Sequence, residues 1–111
     1  MNCQNTITTN AGGFPYISST NVTVGTESVD IALGFRSIQP IGYLTIRMAA
    51  QIPDGTTATL PITLTLNGTT RSLTLPNGSA ATAGDLESVL AFTVFNDRFN
   101  GLLLLMSRTT V

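Results

Sequence analysis

The sequence predicts an all-β chain, a single compact jelly-roll-like β-sandwich of about 7–8 short antiparallel strands with a polar N-terminal arm. Three observations predict it. Apolar residues alternate with polar ones along most of the chain, the period of a strand with one buried face. Turn residues recur at short intervals between these runs. No segment holds a helical period long enough for an ordinary helix. With 111 residues there is room for one domain, divided here into an arm or first edge strand over residues 1–20 and a sandwich over residues 21–111.

From the N-terminus, Thr6 to Thr9 and Tyr16 to Val24 are short strand candidates, separated by Asn10-Ala-Gly-Gly. Thr, Asn and Gly dominate the first twenty residues, with Phe14, Tyr16 and Ile17 as sizeable apolar anchors near the end of the arm. Val29, Ile31 and Leu33 then alternate with Ser28, Asp30 and Ala32, and Leu44, Ile46 and Met48 with Tyr43, Thr45 and Arg47. Pro53-Asp-Gly marks the next turn.

Leu60 to Leu75 is the clearest unit. Leu60, Ile62, Leu64 and Leu66 lead to Asn67-Gly68, and a second alternating run follows. Asn-Gly supplies the two positive-φ residues of a type I′ turn, so a two-residue hairpin is expected. Its register pairs Leu66 with Thr69, Leu64 with Arg71, Ile62 with Leu73 and Leu60 with Leu75, and sets Pro61 opposite Thr74. A proline there fits the start of a strand at a sheet edge or beside a bulge. Arg71 falls on the apolar face near the hairpin tip, either snorkelling to water along its stem or presented to a partner.

Thr82-Ala-Gly-Asp85 has the outline of a capping box, but Gly84 and the short length allow one helical turn or an irregular loop. Leu90, Phe92 and Val94 alternate with Ala91, Thr93 and Phe95, and a turn over Asn96 to Gly101 leads into Leu102 to Met106. Those five consecutive apolar residues place Leu102, Leu104 and Met106 on one face and Leu103 and Leu105 on the other. In a two-sheet sandwich one set points outward. The expectation is an outward patch of Leu103 and Leu105, extended by Phe95 and Val89; a barrel or helix that covers both faces internally is the alternative.

Composition excludes much chemistry. There is no His and no Lys; the basic residues are Arg36, Arg47, Arg71, Arg98 and Arg108, against six acids, for a net charge of -1. A histidine triad, an imidazole metal site, a Schiff-base lysine and a P-loop all lack their residues. Charged residues make up 10% of the chain, against about 25% in ordinary soluble domains, which leaves no basic footprint for nucleic acid. Asp85 and Glu87 lie two apart on a loop rather than across a cleft as glycosidase carboxyls must. Asp54 reads as a turn aspartate, since six scattered acids do not build a calcium cage. Cys3 has no partner in the chain, leaving a free thiol or a cross-link between subunits.

Met1 to Thr9 lacks the basic start and apolar run of a signal peptide, and no stretch approaches the ~18 apolar residues of a membrane helix. The expectation is therefore a protein without catalytic, cofactor-binding or metal residues. Its interface candidates are Phe14, Tyr16, Arg71, Phe95, Leu103 and Leu105.

Two stretches carry a resemblance. Gly42-Tyr-Leu-Thr-Ile-Arg47, followed by Ile52-Pro-Asp-Gly-Thr-Thr-Ala-Thr-Leu-Pro-Ile-Thr63, resembles small virion proteins of tailed phages, in particular auxiliary capsid proteins of crAss-like phages. Phe95-Asn-Asp-Arg-Phe-Asn-Gly-Leu-Leu-Leu-Leu-Met106 resembles the closing strand pair of such proteins. The likeness covers about half the chain, leaving out Met1 to Val24 and Ala80 to Ala83, and brings no catalytic residues with it. It implies a non-enzymatic, multicopy decoration protein, made in the host cytoplasm and placed on the capsid exterior. Its implied partners are the major capsid protein or other virion proteins and further copies of itself, with neither nucleic acid nor membrane. A recognition module, such as a head-fibre or glycan-binding β-domain, is the other class that fits the composition.

Overall fold

The computed structural model describes residues 16–35 and 40–110. They form eight strands: β1 (Tyr16–Ser18), β2 (Asn21–Val24), β3 (Val29–Gly34), β4 (Ile41–Arg47), β5 (Ile62–Leu66), β6 (Thr69–Ser72), β7 (Val89–Asp97) and β8 (Leu102–Thr110). These build two four-stranded sheets, β1-β4-β7-β8 and β2-β3-β5-β6. Alternate residues of β3, β4, β5, β7 and β8 turn inward and form one apolar cluster containing Val29, Ile31, Ile46, Ile62, Leu64, Phe92 and Val94, each at most 2% exposed. The all-β class and the strand number agree with the expectation.

The pairing does not follow the expected all-antiparallel pattern. β1 runs parallel to β4, and β3 parallel to β5. The reason is the path of the chain. It leaves β3 for β4 in the other sheet and returns for β5, so β3 and β5 point the same way when they meet. Period-two alternation reports which face is buried and carries nothing about which strand lies alongside.

The sheets are stitched along both flanks. On one flank, the run read as Tyr16 to Val24 is one strand that changes sheet. The Ser19 amide donates to the Arg47 carbonyl in the first sheet, and the Thr20 amide to the Ala32 carbonyl in the second, both at 2.8 Å. The buried Ser19 hydroxyl accepts the Ala49 amide at 3.0 Å and holds the corner. On the other flank, Thr74 reaches from beyond β6 to β8. Its amide donates to the Leu103 carbonyl and its carbonyl accepts the Leu105 amide, both at 2.8 Å.

The β5–β6 hairpin has the expected register from Leu66↔Thr69 to Thr63↔Ser72, and the Leu73 amide reaches the Ile62 carbonyl at 3.0 Å. Asn67 (φ 54°) and Gly68 (φ 78°) supply the positive-φ pair. A Cβ on Gly68 meets nothing within 4 Å, so the cost of Gly68→Val is torsional alone. A loss of about 1–2 kcal/mol is expected for a β-branched residue in that region. Chemical denaturation checks this, and an unchanged midpoint would contradict it.

Beyond Ile62 and Leu73 the hairpin opens, which corrects the pairings of Leu60 with Leu75 and of Pro61 with Thr74. Residues 80–82 wedge between the two arms. The Ile62 amide donates to the Ala81 carbonyl and the Ala81 amide to the Leu73 carbonyl, each at 2.9 Å. The bridges are Pro61↔Thr82 and Thr74↔Ala80. Small side chains make the insertion possible: Ala81 is fully buried, and Ala83 and Leu86 anchor the turn after it. Pro61 is therefore not on an edge. Its carbonyl accepts the Val29 amide at 2.9 Å, so its missing N–H faces the chain before β3 begins, where no ladder bond is lost.

Residues 83–86 form a single 3₁₀ turn. Asp85 Oδ2 accepts the Thr82 amide (2.9 Å) and hydroxyl (3.1 Å), as the box pattern suggested. Bulges then shift the phase of the last two strands. Val89 pairs with Thr110 and Ala91 with Thr109, which leaves Leu90 as the extra residue. Val89 is consequently buried and Leu90 exposed, the reverse of the expected alternation.

Candidate interaction surface

β4, β7 and β8 place their outward residues in register. Tyr43 pairs with Phe95 and Phe95 with Leu104, while Ile41 pairs with Asp97 and Asp97 with Leu102. Met106, the extra residue of the β8 bulge, lies exposed beside them. Tyr43 and Phe95 meet edge to face, with ring centroids 5.4 Å apart and planes at 62°, a favoured aromatic geometry. Tyr43 is 56% exposed and Ile41 51%. The next row is Thr45 and Thr93, whose hydroxyls bond each other at 3.1 Å. Tyr16 lies beside Thr45 on the edge strand β1.

The outer face of the other sheet has a different chemistry. Asp30 Oδ1 accepts the hydroxyls of Thr63 and Thr65, each at 2.8 Å, and Thr65 shares a 2.8 Å bond with Thr70. Thr23 and Ser72 are exposed nearby. One outer face is thus aromatic and aliphatic, and the other is a carpet of hydroxyls.

Among the expected interface residues, Tyr16 and Phe95 lie on the apolar outer face. Phe14 falls outside the described residues, as do Cys3 and the candidate strand Thr6 to Thr9. Leu103 and Leu105 are corrected: they are 6% and 5% exposed and belong to the core, while Leu102 and Met106 are the exposed members of the run at 40% and 43%. Val89 leaves the patch for the same core. The residues that sequence reasoning missed are Ile41, Tyr43, Leu102, Leu104 and Met106. A signal for the first two was present, since burying Leu44 and Ile46 turns Ile41 and Tyr43 outward.

Arg71 is half-buried, with its stem over apolar side chains and its head group bonded within the chain. Its Nη1 donates to Asn96 Oδ1 and its Nη2 to the Leu102 carbonyl, both at 2.6 Å, with the Asp97 carbonyl at 3.5 Å. Asn96, 1% exposed, donates in turn to the Pro40 carbonyl at 3.4 Å. The guanidinium thus ties the β5–β6 hairpin of one sheet to the β7–β8 turn of the other. Burial first, and then Arg98, push its pKa below the ordinary arginine value, with Asp97 acting in the opposite sense. Beneath it lies an apolar cavity of about 50 Å³ lined by Leu33, Leu44, Leu64, Val94 and Leu103, well below the ~150 Å³ that admits a benzene ring.

The acidic residues do not form a constellation. Asp85 caps its turn, and Asp97 accepts the Asn100 amide and side chain at 3.3 and 2.7 Å. The Pro53 turn is closed by the Thr56 amide and hydroxyl on the Pro53 carbonyl rather than by Asp54. Asp54 and Glu87 flank a shallow groove of about 90 Å³. Among the described residues no three His, Cys, Asp or Glu side chains are grouped to hold a metal, and no helix is long and apolar enough to cross a membrane.

Comparison with family models, with curated proteins and with solved structures finds no match to this chain.

Proposed function

We propose that the chain is a structural virion protein without enzymatic activity, which decorates or stabilises a phage capsid from its exterior through multicopy protein–protein contacts. The observation that carries this reading is the sidedness of the molecule. The apolar outer face of β1-β4-β7-β8 suits burial against protein, and the hydroxyl face opposite suits permanent exposure to water. The stretches that resemble auxiliary capsid proteins supply this face: Tyr43 and Arg47 from the first, and Phe95, Leu102, Leu104 and Met106 from the second. The hydroxyls of Thr45 and Thr93 in the middle of the face are already paired with each other, so covering them orphans neither.

A second reading, a recognition module of a head fibre or a glycan-binding domain, has one observation in its favour. Phe35 and Phe99 stand 72% and 74% exposed in loops, where such modules display aromatics. Binding to purified capsid shells separates the two. The decoration reading expects Tyr43→Asp with Leu102→Asp to lower shell occupancy at least ~10-fold, equivalent to ~1.4 kcal/mol, while Phe35→Ala with Phe99→Ala leaves it unchanged. Equal occupancy of the Tyr43 and Leu102 variant and the parent would refute a part for this face in the contacts that hold the copies on the shell. Loss of binding on removing the two phenylalanines alone would favour recognition.

A further inference from the structure

Resting on that reading, we infer that the partner seated on the apolar outer face is a second copy of this chain, packed face to face with its strands antiparallel. The face is self-complementary in one orientation. Acid and base lie at opposite ends of it: Asp97 pairs with Ile41 at one end, and Arg47 pairs with Ala91 at the other. Arg47 is exposed and makes no side-chain hydrogen bond or ion pair among the described residues. A two-fold axis in the plane of the face and across the strands sets each end over the opposite end of the second copy. The stem of Arg47 then covers Ile41 of the other copy, and its guanidinium meets Asp97, twice by symmetry. The same operation lays Tyr43 and Phe95 over the methyl groups of Thr45 and Thr93, whose hydroxyls are already bonded to each other. An axis along the strands would instead bring the two Asp97 ends together and the two Arg47 ends together, leaving neither charge with an opposite partner.

The area sets the strength. Four strands at ~4.8 Å and six residues at ~3.3 Å give a flat footprint of roughly 400 Å² per copy, below the ~800 Å² of a standard stable interface. The result is a weak dimer, one that forms when copies are held at high local concentration, as on a repeating shell.

Sedimentation of the isolated full chain over a wide concentration range tests this. The expected result is a concentration-dependent rise from monomer toward dimer mass. Arg47→Glu should weaken it at least 10-fold, and adding Asp97→Lys to that variant should restore it, with thermal midpoints confirming that both fold. Because Asp97 also holds Asn100, Tyr43→Asp provides a second disrupting variant that leaves that turn intact. A monomer at every concentration overturns the inference, and so does a dimer indifferent to both Arg47→Glu and Tyr43→Asp. A dimer that Tyr43→Asp breaks but Arg47→Glu spares overturns the antiparallel arrangement. Shell binding by a strictly monomeric protein would reject the second copy while leaving the decoration reading standing; failure to bind shells by a protein that does dimerise would do the opposite.

Discussion

Replacing Leu103 and Leu105 together by Thr is expected to unfold the protein. Each leucine is almost fully buried between the sheets, and truncating a buried leucine costs about 2–5 kcal/mol through lost transfer energy and the cavity left behind. Threonine adds a buried hydroxyl in need of a partner. Two such losses reach roughly 4–10 kcal/mol against a total stability of about 5–15 kcal/mol for a domain of this kind. The apolar cavity under Arg71 already borders Leu103, so the site has little spare packing to relax into. The control is Leu102→Thr with Leu104→Thr on the same strand, expected to shift stability by less than about 1 kcal/mol because those side chains face outward. Urea denaturation of both variants decides it. A lower midpoint for the Leu102 and Leu104 pair would mean that the inward and outward faces of β8 are exchanged, and similar midpoints would mean that burial does not distinguish them.

Arg71→Ala should cost about 2–3 kcal/mol. The guanidinium bonds Asn96 Oδ1 and the Leu102 carbonyl, both at 2.6 Å, and hydrogen bonds to a charged donor contribute more than neutral ones. Removing it leaves the buried Asn96 carbonyl without this donor and releases a tie between the sheets. Arg71→Lys should recover less than half of the loss, since a point ammonium does not reproduce the planar fork that serves both acceptors. The measurement is the change in denaturation midpoint, with hydrogen exchange at Leu102 to Leu104 as a local probe. Wild-type stability in Arg71→Ala would mean that this residue does not join the sheets.

The sequence was most legible where local chemistry alone decides the outcome. Asn67-Gly68 determined both the turn and four pairs of the hairpin, because a two-residue loop permits one register. Val29, Ile31 and Leu33 announced their buried face because each neighbour is visibly different. Legibility ended where neighbours are alike or distant. In Leu102 to Met106 every residue is apolar, so alternation supplies two faces without saying which is inside. The bulge at Leu90 moves Val89 into the core by one extra residue, and nothing in Val-Leu-Ala signals it. Ala80 to Thr82 has weak strand propensity, and only the opening between the arms of the hairpin makes it a bridging segment. Arg71 depends on Asn96 and Leu102, 25 and 31 residues away, a separation that pattern reading does not cross. Of the candidate surface, Phe95 and Tyr16 were identified and the residues that give it most of its apolar area were not.

The tie between Thr74 and β8 bears on the hazard that this chain carries. Leu102 to Met106 is a five-residue apolar run with no charge and no proline, the composition that templates cross-β fibres when its backbone is free. β8 is the last strand of its sheet, so that backbone would otherwise stand open as a growth edge. Thr74 occupies the Leu103 carbonyl and the Leu105 amide, and Arg71 occupies the Leu102 carbonyl. The strand continues as Ser107, Arg108 and Thr109, polar and charged residues of the kind that blunt an edge. The folded chain therefore has its stickiest strand muzzled, and it can crowd against many copies of itself without recruiting them strand by strand. For β8 to template another strand, the Thr74 segment has to peel away from Leu103 and Leu105, so opening of that one flank exposes this run without global unfolding.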